Sequence, residues 1–353
     1  MQDNVKRRDI LKISIAAGVA MASSGLARVV GAAPADGNAD KKQEQAANRP
    51  SQLQDNSQRF FNGFEPLKIN TGDVEINLKR GGKGKPVLLL HGYPETHVMW
   101  HKLASRLAQK YTVVLTDLRG YGDSSSPTGA QDHSNYSKRV MALDQVMVME
   151  KLGYKTFDIV GHDRGARVAH RLMRDHPNRI NRGVIMDIIP TLDTYEKTDM
   201  IFARGYYHWF FLIQPPDLPE HLIGVDPEYF VRKCLNSWGR NPDSFSDDAV
   251  KEYVRCFSKP EVIHSTCEDY RASATIDLEH DRQDRSKKIE CPLLVLWGGK
   301  SFISRAYDVL GIWSKYASHV EGSPIPSGHF LPEEAPEETY NVLVKFLDRD
   351  KGH

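Results

Sequence analysis

The chain has 353 residues, 40% of them hydrophobic and 26% charged, and 47 Lys and Arg balance 46 Asp and Glu to a formal net charge of +1. That balance leaves no basic field for nucleic acid. The four cysteines (Cys234, Cys256, Cys267 and Cys291) show no C-x-x-C spacing, so no metal site is implied; a disulfide among the first three and buried free thiols both suit their positions.

The N-terminus reads as an address. Lys6-Arg7-Arg8-Asp9-Ile10-Leu11-Lys12 precedes an apolar run from Ile13 to Leu26 and small residues at Ala33-Pro34-Ala35. A charged start, a short apolar segment and an A-x-A-like site define a signal peptide, and the paired arginines resemble a twin-arginine signal. The run falls short of the ~20 apolar residues of a spanning helix. The expectation is a signal over 1–35, export to the periplasm by the twin-arginine machinery, and no stable membrane association after cleavage. Losing that segment removes five basic and two acidic residues and takes the charge from +1 to −2. Residues 36–58, rich in Asp, Gln, Asn and Lys, read as a linker with little to bury.

Two segments near 65–70 and 73–79 predict antiparallel strands at a sheet edge. Apolar runs at 87–90, 113–115, 157–160, 183–186 and 293–297 predict buried strands of a largely parallel sheet. Helical patterns at 97–109, 137–152 and 165–175 alternate with them, the rhythm of an α/β fold. That rhythm stops at Pro190 and resumes at Cys291. The aromatic-rich stretch 190–286 therefore reads as a helical cap inserted into a core of 59–189 and 287–353.

Asp158-Ile-Val-Gly-His-Asp-Arg-Gly-Ala-Arg-Val168 carries the chemistry. Gly161-x-Asp163-x-Gly165 is the G-x-S-x-G nucleophile elbow of α/β hydrolases with aspartate in the serine position. A serine that attacked a saturated carbon would leave an ether. A carboxylate leaves an ester, which water can open at the carboxylate carbon. Arg164 and Arg167 lie three apart at the start of the following helix, where both can flank one pocket. Guanidinium–carboxylate bonds contribute about 1.5–3 kcal/mol each, so the pair points to a small anionic substrate and favours an ionised Asp163. Pairing with surface acids such as Asp175 is the plainer alternative.

The nucleophile needs a base and the base an orienting acid. His329, in Ser327-Gly-His-Phe330, stands after the last strand, in the chain-order position of a hydrolase histidine. Many α/β hydrolases carry the acid in a Trp-Gly-x-x-Asp frame, but here that frame reads Trp297-Gly-Gly-Lys-Ser301. Asp187, ending the strand after the elbow helix, takes the role instead; its alternative is a turn or helix-capping aspartate. His91-Gly-Tyr-Pro94 offers the Tyr93 amide, with that of Arg164, as an oxyanion hole, and places the Tyr93 ring at the pocket. In the cap, Tyr206-Tyr-His-Trp-Phe-Phe211 reads first as core, yet His208, Trp209 and Tyr270 are donors able to hold a departing halide.

Together, His91-Gly-Tyr-Pro-Glu-Thr-His-Val-Met-Trp100, Asp117-Leu-Arg-Gly-Tyr-Gly122, the elbow, Asp187-Ile-Ile-Pro-Thr191 and His208-Trp209 resemble the haloacetate (fluoroacetate) dehalogenases over residues 59–349. The resemblance implies an eight-stranded, mostly parallel sheet with helices on both faces. It implies Asp163 as nucleophile, His329 as base and Asp187 as its acid. Arg164 and Arg167 would hold the substrate carboxylate, and His208, Trp209 and Tyr270 the halide. Trp238 matches a further cap tryptophan near the site. No cofactor or metal is implied, and the family commonly forms homodimers. Two departures stand out: the export signal, and Tyr93 where phenylalanine is common.

The nearest rival is an epoxide hydrolase, with the same nucleophile and two ring-protonating cap tyrosines, here Tyr270 with Tyr206 or Tyr207. Two arginines suit a neutral epoxide poorly, and those enzymes commonly place Trp after the nucleophile. A serine esterase is excluded by Asp163. A ligand receptor on the same fold would not need an intact Asp–His–Asp set.

Overall fold

Strands buried on both faces need unbroken apolar sequence, and the runs that supply it build the centre of the sheet. The computed structural model describes residues 57–349; the expected signal segment (1–35) and linker residues 36–56 lie outside them. Eight strands form one sheet: β1 (Glu65–Asn70), β2 (Glu75–Gly81), β3 (Lys85–Leu90), β4 (Tyr111–Thr116), β5 (Phe157–His162), β6 (Ile180–Met186), β7 (Leu293–Gly298) and β8 (Val320–Ile325). Their order is β1-β2-β4-β3-β5-β6-β7-β8, with antiparallel pairing only on the two sides of β2. Every residue of β4 and β5 is buried, whereas β1 and β8 at the edges alternate or stay partly exposed.

Three helices pack the first half of the sheet: α1 (His101–Leu107), α2 (Lys138–Lys151) and α3 (Asp163–Asp175). The Ser137 hydroxyl caps α2 by accepting from Val140 N at 3.3 Å. Of α3 only Asp175 is not buried, so this helix is wedged against the sheet along its whole length.

Between β6 and β7 lie eight helices: α4 (Thr191–Glu196), α5 (Met200–Gly205), α6 (His208–Phe211), α7 (Leu218–Val225), α8 (Pro227–Trp238), α9 (Asp247–Phe257), α10 (Pro260–Ala274) and α11 (Ile276–Gln283). Many of their aromatic residues are covered, with Trp209, Tyr253 and Tyr270 almost fully buried, while Tyr207 and Tyr229 face solvent. Polar ties join the two layers: Tyr253 Oη donates to Glu333 at 3.1 Å, and Arg255 pairs with Asp123 at 2.5 Å. The chain closes with α12 (Phe302–Ala306), α13 (Val309–Trp313), β8, α14 (Leu331–Glu334) and α15 (Pro336–Leu347). Among the described residues no helix is long and apolar enough to cross a membrane.

The differences from the sequence reading have local causes. Residues 57 and 58, given to the linker, already belong to a 3-10 turn (Ser57–Phe60) with Ser57 buried. The pattern at 97–109 splits into a 3-10 turn at His97–Trp100 and α1, and the helix predicted from 165 begins at Asp163. β8, Val-Glu-Gly-Ser-Pro-Ile, shows no apolar run because an edge strand buries little. All four cysteines are unbonded, which resolves the choice left open by their spacing.

Candidate active site

β5 passes into α3 with no intervening residue, and Asp163 sits at the join with φ of +45°. A side chain other than glycine in the left-handed region costs on the order of 1–3 kcal/mol and persists only where packing enforces it. The packing is specific. A Cβ on Gly165 would lie 2.5 Å from the carbonyl oxygens of Leu90 and His91, and one on Gly161 would lie 2.5 Å from Gly165 O. Glycine at both positions lets strand and helix close on the turn, and Gly165 N then donates to His91 O at 2.8 Å. The turn aims the Asp163 carboxylate out of the sheet. Tyr93 N donates to its Oδ1 at 2.9 Å, leaving Oδ2 toward His329. Burial raises the pKa of this carboxyl, but His329, His162, Arg164 and Arg167 together outweigh burial and hold it at about 2.

His329 Nε2 lies 3.8 Å from Asp163 Oδ2, and its Nδ1–H donates to Asp187 Oδ2 at 2.6 Å. Burial opposes charge on the imidazole, yet the hydrogen bond and charge of Asp187, with the charge of Asp163, raise its pKa above the usual 6.5. Asp187 also sits at positive φ, +52°, and caps no helix. Its Oδ1 accepts from Gly298 N and Ser301 Oγ, both at 2.8 Å. The loop whose usual acid is missing thus supplies donors that hold the substitute acid. The His329 ring is supported from behind by His162, whose Nε2–H donates to His329 O at 2.8 Å.

The two arginines differ. Arg164 makes a two-pronged pair with the cap residue Asp269, Nε to Oδ2 at 2.8 Å and Nη2 to Oδ1 at 2.9 Å, and donates to Ser273 Oγ at 2.6 Å. Arg167 donates to Ile189 O at 3.1 Å and Thr191 Oγ1 at 3.0 Å and has no carboxylate partner among the described residues. Neither pairs with Asp175, which is taken by Arg139 and Arg171. Each keeps one buried nitrogen without a protein partner, Nη1 of Arg164 and Nε of Arg167. Burial lowers Arg167 to about 10, aided by Arg164, so it stays charged at neutral pH.

The cap closes over these groups with aromatic rings. His208 lies 4.4 Å from Trp238 and 5.8 Å from Tyr270, centroid to centroid, and Trp209 lies 5.9 Å from Tyr270. The guanidinium of Arg164 rests 4.0 Å from the Tyr270 centroid, and that of Arg167 rests 4.4 Å from Trp209. Burial, against the charge of Asp163, lowers His208 to about 3 and keeps it neutral. A cavity of about 310 Å³ is walled by Asp163, His329, His208, Trp209, Trp238 and neighbours. Arg164, Arg167 and Tyr270 stand just behind that wall. The Tyr93 ring does not reach it: the side chain is fully buried among Tyr270, Phe257, Trp238 and Phe230. Its amide alone meets the site, because the backbone turns the ring into the seam between cap and core.

Several supporting residues escaped the sequence reading. Asp269, fully buried, receives Arg164, Lys138 and Tyr121 Oη. Thr191 and Ser301 anchor Arg167 and Asp187. An acid inside the aromatic cap and directly before Tyr270 was the available signal for Asp269; a threonine or serine carries none.

These features define a class, the α/β hydrolases that carry aspartate at the elbow, and the family model described as "alpha/beta hydrolase fold" matches residues 85–336. A fluoroacetate dehalogenase of Burkholderia sp. is 43% identical over 289 residues, spanning 82% of this chain and 95% of that protein. A soluble epoxide hydrolase of Corynebacterium sp. (strain C12) is 34% identical over 270 residues, 75% of this chain and 91% of the other. A crystal structure from Nostoc sp. PCC 7120, described only as an α/β hydrolase, superposes with a TM-score of 0.81 at 60% identity, covering 82% of this chain and all of that one. The chain belongs to the haloacetate (fluoroacetate) dehalogenase family of the α/β-hydrolase superfamily.

Proposed function

We propose that the protein is a hydrolytic dehalogenase that converts a small 2-haloacid, a haloacetate in the simplest case, to the 2-hydroxyacid and halide. The observation that carries the reading is Asp163, an ionised carboxylate at a strained turn, with the His329–Asp187 pair 3.8 Å away and two buried arginines beside it. Arg164 and Arg167 orient the substrate carboxylate. Asp163 Oδ2 attacks the carbon bearing the halogen; the carbon–halogen bond breaks, and the halide leaves toward the donors of His208, Trp209 and Tyr270. These act on charge that appears only as the bond breaks, where stabilisation accelerates the step.

The resulting ester no longer carries the Asp163 charge. Part of what raised the His329 pKa disappears, and the imidazole becomes a better neutral base at the step that needs one. His329 Nε2 takes a proton from water, whose oxygen adds to the Asp163 carboxyl carbon. The Tyr93 amide holds the oxyanion on Oδ1. Collapse expels the hydroxyacid oxygen, protonated by His329, and restores the carboxylate.

The test is halide release from chloroacetate and fluoroacetate beside Asp163→Asn. Halide from wild type alone supports the reading; no halide from either substrate overturns it. A second reading, epoxide hydrolysis, draws on Tyr206 and Tyr270, whose hydroxyls have no protein partner among the described residues, and on the 34% identical relative. Diol formation from a simple epoxide without halide release would favour it. We further propose export through the twin-arginine route and a homodimer, tested by cell fractionation and by sedimentation.

A further inference from the structure

The cavity wall contains three arginines that the proposed reaction does not use. Arg204 comes from α5, Arg240 follows α8, and Arg305 belongs to α12, so three separate segments each bring a guanidinium to the same cavity. All three residues are exposed. None pairs with a carboxylate among the described residues. Arg240 Nε donates to Lys300 O at 3.1 Å and Arg305 Nε to Ser301 O at 3.4 Å, both carbonyls. Several other solvent-facing arginines are paired, Arg139 with Asp175, Arg232 with Glu228, Arg106 with Glu337 and Arg349 with Glu321, although exposed Arg282 has no carboxylate partner among the described residues.

Among the described residues of the wall the only carboxylate is the deep Asp163. Two acids lie close behind the wall: Asp187 is held by His329 at 2.6 Å, and Glu334 turns its oxygens to backbone amides of Arg240, Gly328 and Phe330 at 2.7–3.0 Å. Past Arg305 the surface continues into an open groove of about 560 Å³ that adds Lys315, and Lys197, which pairs with Asp193 at 3.5 Å. Its two acids are engaged in helix caps, Asp199 accepting from Phe202 N and Asp308 from Gly311 N.

An uncompensated cationic rim around a cavity with low-dielectric walls focuses its field inward and raises the local concentration of anions. We propose that Arg204, Arg240 and Arg305 form an anion-concentrating entrance, which sets the preference of this site for charged over neutral small substrates. This deepens the dehalogenase reading and rests on it for the identity of the anion. The rim acts at a distance, before Arg164 and Arg167 take hold of the carboxylate, and its effect is screened by salt over a Debye length of about 10 Å at 0.1 M.

The experiment compares wild type with Arg204→Gln/Arg240→Gln/Arg305→Gln, using chloroacetate and its neutral counterpart chloroacetamide at low and high ionic strength. KM for chloroacetate is expected to rise about three- to tenfold at low salt with kcat retained, and its dependence on salt to flatten. KM for chloroacetamide stays where it was. Quenching of the wall tryptophans Trp209 and Trp238 gives a readout free of turnover. The iodide quenching constant should fall in the triple variant while the acrylamide constant stays unchanged. An unchanged iodide constant, or equal losses for iodide and acrylamide, overturns the entrance whatever the enzyme turns over. Loss of chloroacetate turnover in wild type itself would instead overturn the dehalogenase reading.

Discussion

The two halves of the site are built by different means. On the sheet side, Asp163 and Asp187 sit on turns at φ of +45° and +52°, locked by backbone packing, and His329 is clamped between Asp187 and His162. On the cap side, His208, Trp209, Trp238 and Tyr270 come from three helices and are placed by ring-on-ring contacts and by the guanidinium groups beneath them. Backbone constraint fixes atoms to within a fraction of an ångström, as bond-making requires. Aromatic packing fixes shape and donors, and it meets the triad at Trp238, whose carbonyl accepts from His329 N at 3.1 Å. The sheet side therefore decides which reaction occurs, and the cap decides on what.

The strongest test of that division removes the nucleophile. Asp163→Asn should lower halide release at least ~10³-fold while leaving thermal unfolding and substrate binding near wild type. His329→Gln should cut turnover by about 10²–10⁴-fold yet still release one halide per site in a burst, because only ester hydrolysis needs the base. A variant that lost the burst as well would place His329 in the first step and break the division.

Asp269→Asn reaches the arginines from the cap. With Arg164 less firmly oriented, kcat/KM should fall about 10- to 100-fold, mostly through KM, as expected for loss of a charge-assisted bond of about 1.5–3 kcal/mol. A fall confined to kcat would move Arg164 to the chemical side.

The pH profile separates the two sides without mutation. Asp163, held at about 2, is ionised across the accessible range, so halide formation should not fall with acid until near that value. His329 works only when neutral, and its pKa in the free enzyme is raised above 6.5. In the ester, where this base acts, the Asp163 charge is gone, so steady-state turnover should decline by about tenfold per unit as pH drops through a His329 pKa below the free-enzyme one, while the burst persists. The smallest effect is expected at the seam: Tyr93 Oη is buried without a protein partner, so Tyr93→Phe should leave turnover intact and stabilise the fold by about 1 kcal/mol in urea unfolding.

How far sequence carries also follows this split. Glycines around an aspartate between an apolar strand and a helix, and a histidine after the last strand, are local signals, and the residues they mark converge in space. The Trp297-Gly-Gly-Lys-Ser301 frame pointed to Asp187 by lacking an acid, and the same frame turned out to hold that acid through Gly298 and Ser301. β8 was harder to see because an edge strand has little to bury. The Tyr93 ring was placed at the pocket from its neighbourhood alone; which way a buried ring points depends on the cap, distant in sequence. Asp269 was illegible as a partner of Arg164 because the pair spans 105 residues, a separation no local pattern encodes.

The ester on Asp163 is the centre of the account, and one measurement addresses it directly. A single turnover of chloroacetate by excess enzyme in ¹⁸O-water, followed by mass spectrometry of the Asp163 peptide and of the product, tracks the oxygen. The account predicts ¹⁸O in the Asp163 carboxylate and unlabelled glycolate from the first turnover. Labelled glycolate with an unlabelled peptide would show that water attacks the substrate directly and would contradict it.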